Sequence, residues 1–416
     1  MKYLLSDAAH KLQGQPMFKM LERIQKLERE GKEIIQFEIG DPDFSTPENI
    51  TNVAIESLIS GEVHYTSSYG LYEFREVVAS VTQNSRGFTP DIEQIVITPG
   101  ANIIIYYAVR CLVNPGDEVI VPDPGFPSYY SVINFCGAKM VRIPLREENG
   151  FRMNPQDLRD VMTNRTRLII LNSPQNPTGA VVDPKEILEI YQIAEECDVY
   201  LYSDEIYSCM IFENALFCSP SVYDSCKHRT ILANGFSKAF AMTGWRLGAV
   251  IAPKDVAEKM APLLEMTSSC VSPFVQRAGI EAAVGDQEGT RTMMQEYRKR
   301  RDIIVEELNN TPSITCLMPG GAFYVFPNIA GTGLSSEEFA IFALEEAGVA
   351  LWGIRLSKLN SLFREFAETW NIPVACTFLA IDILPSDHPL AIGRIGIKGG
   401  RAGNFALQNA DLVISL

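Results

Sequence analysis

The strongest constraint on this chain is a recurring unit that begins at Gln94. Short apolar runs end in small or polar residues, and a helical stretch follows. The runs are "QIVIT", "EVIVPDP", "KMVRIPL", "RLIILNSP", "VYLYSDE", "TILANGFSK" and "GAVIAP". They are rich in Val and Ile and mostly lack the polar alternate of a half-exposed strand. Strands covered on both faces read this way. One intervening helix is marked at its start: Asp183 caps, Pro184 opens the first turn and Glu186 completes a capping box before "ILEIYQIAEEC". Strand–helix alternation predicts an α/β fold with a doubly wound, mostly parallel sheet.

Elements flank this body on both sides. "LERIQKLEREGK" reads as an amphipathic helix with Leu21, Ile24 and Leu27 on one stripe and Gly31 as its stop. A short strand and a turn-rich loop follow in "IIQFEIGDPDFSTP". A long charged helix over 291–309 leads into a smaller α/β domain containing "GGAFYVFPNI". The expected divisions are 1–45 for an N-terminal arm and the start of the small domain, 46–290 for the large domain, 291–352 for a truncated small domain, and 353–416 for a separate segment.

Composition narrows the function classes. With 416 residues, 46% hydrophobic and 21% charged, the chain has ample material for a large core. A net charge of −15 argues against nonspecific binding to nucleic acid or to an anionic membrane. No apolar run reaches the length of a membrane span, and the opening "MKYLLSDAAHKLQGQPMFKM" lacks the long apolar core of a secretion signal. The nine cysteines contain no Cys-x-x-Cys pair, as expected for a reducing cytoplasm. His10, His64, His228 and His388 are scattered, so no metal site is expected.

Open α/β sheets bind ligands beyond the carboxyl ends of their strands. Gly100, Ala101 and Asn102 follow the first run and open a helix. Asn176 follows the fourth, Asp204 and Tyr207 the fifth. Ser237 and Lys238 follow the sixth, with Arg246 eight residues on from the lysine. Each alone has an ordinary reading: Asn-Pro-Thr-Gly as a turn, Asp-Glu as a helix cap, a strand-end lysine as solvated. Together they match the groups of pyridoxal 5'-phosphate. Lys238 would form the Schiff base. Asp204 would face the pyridine nitrogen and keep it protonated. Tyr207 and Asn176 would donate to the ring oxygen. Gly100, Ala101, Asn102, Ser237 and Arg246 would hold the phosphate. Phe126 in "DPGFPSYY" offers an aromatic face to the ring.

These stretches, with "NGFSKAFAMTGWRLG", "NSPQNPTG", "YSDEIY", "HYTSSYGLYEFRE" and "TPGANIIIYYAVRCLVNPGDEVIVPDPGFPSYY", resemble the class I/II aminotransferases of fold-type I, the aspartate aminotransferase superfamily, over about residues 10–350. The resemblance implies transamination between an amino acid and a 2-oxo acid. It also implies a homodimer in which Tyr65 reaches the phosphate in the partner's site, with Gly40 of "IGDPDF" near the substrate carboxylate. One position departs: many members carry a serine three residues before the lysine, where this chain has Gly235. Racemisation, carbon–sulfur lysis, decarboxylation and synthase-type elimination use the same site and stay open as alternatives. So does cofactor binding without turnover.

A second resemblance begins near Trp352. In the first family "EEAGVA" leads into a Pro-Gly-containing loop before the strand that bears a carboxylate-binding arginine. Here "GIRLS" follows almost at once. The remainder resembles the first part of the central domain of thiamine diphosphate enzymes of the acetolactate synthase type, a partial Rossmann-like segment: "IPV", "DHPL", a Gly-rich turn, then "ADLVI". Arg355 fits both patterns, as a substrate clamp or as the opening of the second segment. The expectation is a piece, or the front portion, of a transaminase–thiamine enzyme fusion. The segment lacks the two domains between which that second cofactor sits in its family.

Overall fold

The computed structural model describes residues 5–10, 16–213, 215–351, 374–376 and 391–394. The chain divides into two compact units, Met1–Gly353 and Ile354–Leu416. In the first unit, β1 is Ile35–Gln36, β2 Ile95–Thr98, β3 Glu118–Asp123, β4 Lys139–Pro144 and β5 Thr166–Asn172. There follow β6 Tyr200–Asp204, β7 Thr230–Gly235, β8 Gly248–Ile251 and β9 Val349–Ala350.

Strands β2 to β8 form one seven-stranded sheet in the order β2-β8-β7-β6-β5-β3-β4. Pairings from β7 through β4 are all parallel, while β8 runs antiparallel to both β7 and β2. The sheet is therefore mostly parallel, as expected, with one reversed strand near its edge. Every residue of β2 and β8 is buried, and so is most of β3, β5 and β6. Helices cover both faces. Asn102–Leu112 and Lys254–Ser268 pack over Val96, Val119, Leu168 and Tyr202 in one core. Pro184–Glu196 packs over Ile120, Ile169 and Leu201 in another. The Asp183–Glu186 capping box forms as its residues predict.

The flanking elements are the helices Pro16–Arg29, Glu288–Asn310 and Ser336–Ala347. β1 pairs in parallel with β9, and Ile24, Leu344 and Ala350 close a small core beneath them. In the second unit, β10 (Val374–Cys376) pairs in parallel with β11 (Ala391–Arg394). Arg355 lies outside the described residues. No described helix is long and apolar enough to cross a membrane.

Candidate functional site

The carboxyl ends of β5, β6 and β7 lie side by side, with Asn172 in register with Asp204 and Asp204 with Ala233. Just beyond them the chain places Asn176, Asp204, Tyr207, Ser237 and Lys238. Asn172 is the hinge of this rim. Its amide donates to the backbone oxygens of Pro174 and Asp204 at 3.1 Å, and its Oδ1 accepts from the Asn176 N–H at 2.8 Å.

Asp204 is buried. Its Oδ2 accepts from the Tyr129 hydroxyl at 2.6 Å and its Oδ1 from the Ile206 N–H at 3.2 Å. Burial raises its carboxyl to about 6, against the lowering effect of these two bonds. It therefore stays mostly ionised at neutral pH while holding a proton affinity well above that of a surface aspartate. Lys238 shows the opposite displacement. Desolvation lowers its amine to about 8; the nearby Asp41 carboxylate opposes that and the Arg246 guanidinium reinforces it. Its Nζ donates to the Gly40 carbonyl and lies 5.6 Å from the centre of the Phe323 ring.

Tyr207 and Asn176 converge on one atom. The Tyr207 and Tyr324 hydroxyls are 2.6 Å apart, and Asn176 Nδ2 donates to Tyr324 Oη at 3.2 Å. Asn176 Oδ1 is buried without a hydrogen-bond partner. An unmet buried polar atom costs about 1–3 kcal/mol, so it marks a place where a polar group belongs. A Cβ on Gly40 would collide with Tyr324 Oη, which is why this position has no side chain.

The other end of the site is built for an anion. Gly100 sits at φ +87°, a conformation that disfavours any side chain, and it turns the chain into the helix Asn102–Leu112. A Cβ there would lie 2.5 Å from Arg246 Nη2, so the guanidinium rests directly against this backbone. Arg246 is itself held in the left-handed region at φ 55°, with Nη1 donating to the Thr243 carbonyl at 2.8 Å. A helix N-terminus, an arginine and the nearby Ser237 and Lys238 suit a phosphate. The donor set thus fits pyridoxal phosphate at both ends: a buried carboxylate and two ring-oxygen donors at one, an anion cradle at the other, and a partly neutral amine among them.

Gly235, where the chain departs from many family members, lies in tight surroundings. A Cβ there would lie 2.7 Å from Ile206 Cδ1 and 3.1 Å from Ala101 Cβ. Phe126 caps the helix Pro127–Phe135 and is half-buried, its ring edge-on to Tyr129 at 5.6 Å. Tyr65 is 87% exposed and touches none of these groups. Three site residues escaped the sequence reading: Tyr129, Phe323 and Tyr324. Tyr129 stands three residues after Phe126, the spacing that puts two side chains on one helix face. Phe323 and Tyr324 lie in the aromatic "GGAFYVF" stretch, which was assigned only to the small domain.

Comparison with known proteins agrees with this geometry. Residues 32–365 match the model of aminotransferase class I and II, and residues 349–416 match that of the thiamine pyrophosphate enzyme central domain. The two matches overlap over 349–365, the stretch containing Arg355. An aspartate aminotransferase of Pyrococcus horikoshii is 42% identical over 352 residues, covering 84% of this chain and 88% of that protein. An arginine–pyruvate transaminase of Pseudomonas aeruginosa is 38% identical over 325 residues, covering 77% and 82%. The crystal structure of the aspartate aminotransferase from Rhizobium meliloti superposes with a TM-score of 0.80 at 31% identity, covering 84% of this chain and 90% of that one. On this similarity the chain belongs to the class I and II aminotransferases, the pyridoxal-phosphate-dependent transaminases of fold-type I.

Proposed function

We propose that the strand-end rim moves an amino group between an amino acid and a 2-oxo acid, with Lys238 as the reacting amine. The observation that carries this is the gathering of Asn176, Asp204, Tyr207 and Lys238 just beyond neighbouring parallel strand ends, with Asp204 buried and held by the Tyr129 hydroxyl. Pyridoxal phosphate, when bound, supplies an electrophilic carbon for amines and a ring that accepts the electron pair released at the substrate α-carbon. The chain's own residues do the rest. With its amine near 8, Lys238 is about one-tenth neutral at pH 7, against roughly one part in 3,000 for an unperturbed lysine. Only the neutral amine can attack or take a proton, so burial turns Lys238 into both nucleophile and base.

Asp204, fixed by Tyr129 and the Ile206 N–H, would hold the proton on the pyridine nitrogen. Tyr207 and Asn176 would face the ring oxygen, and Phe126 the ring. Gly100, Ala101, Asn102, Ser237 and Arg246 would bind the phosphate. Gly40, Asn176 and Arg355 are the candidates for holding the substrate, Gly40 and Arg355 at its carboxylate. In this reading 46–290 carries the cofactor, while 1–45 and 291–352 form the smaller domain and 353–416 a separate segment.

The same reading includes a homodimer. Ile59 is 81% exposed, Val63 54%, Tyr65 87% and Met266 82%. An open groove beside Arg246, lined by Ile55, Leu58, Trp245 and Phe274, supports a second copy seated there. Tyr65 of that copy would reach the phosphate.

The test is a visible spectrum of the protein with pyridoxal phosphate, before and after addition of single amino acids. The expected result is a bound-cofactor band that amino acid removes and 2-oxo acid restores, with stoichiometric 2-oxo acid released in the first step. A band that forms and never responds would reduce the chain to a cofactor binder. Sedimentation at micromolar concentration tests the dimer independently.

A further inference from the structure

Behind the site lies a buried ion pair that the chemistry above does not use. Arg86 Nε and Nη2 donate to Glu205 Oε2 at 3.0 and 2.5 Å, and the two side chains are only 7% and 1% exposed. Glu205 Oε1 accepts from the Ser203 hydroxyl at 3.0 Å and from the Ser219 hydroxyl, which in turn contacts the Ser221 hydroxyl at 2.6 Å. The Glu205 N–H donates to the Ala233 carbonyl on β7 at 2.9 Å. Arg86 is the last residue of the helix Tyr72–Arg86, where a cation suits the helix dipole. One residue therefore ties together a helix end, the end of β6 and the loop at 219–221 through its carboxylate, and the neighbouring strand through its N–H. It immediately follows Asp204 and stands two residues before Tyr207.

Such a pair is not obviously stabilising. Burying two charges costs about as much as their attraction returns, and an apolar pair often does as well. A specific role better accounts for its placement. We propose that the Arg86–Glu205 pair is a positioning device for the site. It pins the turn from Asp204 to Tyr207 and cancels the field of a carboxylate that would otherwise act on Asp204. The proposal rests on the reading of Asp204 as the partner of the cofactor's ring nitrogen.

The charges around Asp204 make this testable by sign. Tyr129 from its helix, Tyr202 on β6, Tyr207 after it and Tyr324 from the small domain face Asp204 as neutral hydroxyls. Glu205 is the full charge among these neighbours. Burial is the largest influence raising Asp204, and Glu205 adds to it. Around the pair itself the other titratable groups are the thiols of Cys209, Cys218 and Cys226, all three pushed up by desolvation and hence neutral. Removing Arg86 unmasks an anion; removing the charge of Glu205 unmasks a cation. The two changes must push the site in opposite directions.

The experiment compares Arg86→Met, Glu205→Gln, the double variant and Arg86→Lys as holoenzymes, with Asp204→Asn as reference. Two quantities are read: the pH midpoint of the bound cofactor's visible absorption, and the dissociation constant for pyridoxal phosphate. The midpoint should rise by about one pH unit in Arg86→Met, fall by a similar amount in Glu205→Gln, and return close to the wild-type value in the double variant. Arg86→Lys should restore the charge with a single-point contact and lie between wild type and Arg86→Met. Cofactor binding should weaken about tenfold or more in each single variant and recover partly in the double. A merely structural pair would shift the midpoint in one common direction or not at all, and that result overturns the inference. If Arg86→Met fails to fold, Glu205→Gln and the double variant still decide the sign. If Asp204→Asn leaves both readouts unchanged, the reading of Asp204 fails and this inference falls with it. If Asp204→Asn acts and the pair does not, only this inference fails.

Discussion

The large sheet and the segment around β1 follow opposite rules of burial. In the sheet, Leu168, Ile169, Ile170 and Leu201 are fully buried and helices close both faces. In the segment around β1 the pattern is turned over. Ile35, Phe37 and Ile39 are 58%, 60% and 42% exposed, while Glu38 is 2% exposed with both carboxylate oxygens unpartnered. The cofactor half of the site thus stands on a scaffold that satisfies itself. The side that carries Gly40 follows two short strands, of which β1 turns Ile35 outward while β9 buries Ala350. A transaminase needs a fixed cofactor and a substrate clamp, and this chain invests its packing energy in the first.

Four tests, using five substitutions, probe that contrast. Lys238→Ala acts on the self-sufficient half and should lower kcat by at least about 10³-fold with little change in melting temperature, since its role is chemical. Next, Leu171→Ala should cost about 2–5 kcal/mol of stability and Ile35→Ala within about 0.5 kcal/mol, by urea denaturation. Equal losses would erase the distinction drawn here. Third, Arg355→Ala separates the two families that overlap on it. A clamp predicts a KM for the amino acid raised by about 10–100-fold with kcat nearly kept, and a tail residue predicts steady-state constants unchanged. The smallest effect is on Glu38→Gln. Burial raises the Glu38 carboxyl above its ordinary value, with the repulsion of Glu28 a lesser cause. A raised folded-state pKa makes the protonated form the favoured one, so wild-type stability falls as pH rises above about 4.5. The variant removes that loss. It should match wild type most closely at pH 4 and gain on it as pH rises to 8, in paired thermal melts.

Activity should also follow the two displaced groups of the site. With Asp204 raised to about 6 and Lys238 lowered to about 8, kcat/KM should fall on the acid side as Asp204 protonates, provided substrate ionisation is matched. On the alkaline side the amine gains its neutral form, so loss there must come from another group.

Much of this was legible because local signals agree with one another. The apolar runs become β2 to β8, and the central ones lack a polar alternate that would offer a second register, while edge strand β4 exposes Lys139 and Arg142. Asp183, Pro184 and Glu186 start their helix where the spacing says. Asn176, Asp204, Ser237 and Lys238 follow their strands directly, so their convergence needs only the parallel sheet. What was hidden depends on distant contacts. Tyr324 meets Tyr207 across 117 residues. Arg86 meets Glu205 across 119, so an Asp-Glu pair that reads locally as a helix cap is half catalytic candidate and half buried ion pair. Tyr129 carried a signal, its spacing from Phe126, but a tyrosine on a helix face is ordinarily core. The β1 segment runs against its sequence signal: "IIQFEIG" puts Ile35, Phe37 and Ile39 on one strand face and Gln36 and Glu38 on the other, a pattern that argues for the apolar face inward.

The crowding at Gly235 couples three positions. Residue 235 faces Ile206 and Ala101, so a larger residue there needs the tip of the Ile206 side chain to move. Libraries that shorten 206 alongside 235 should accept larger residues at 235 more readily than single-site libraries do. For anyone grafting motifs between relatives, the portable module is the trio and not the lysine segment alone.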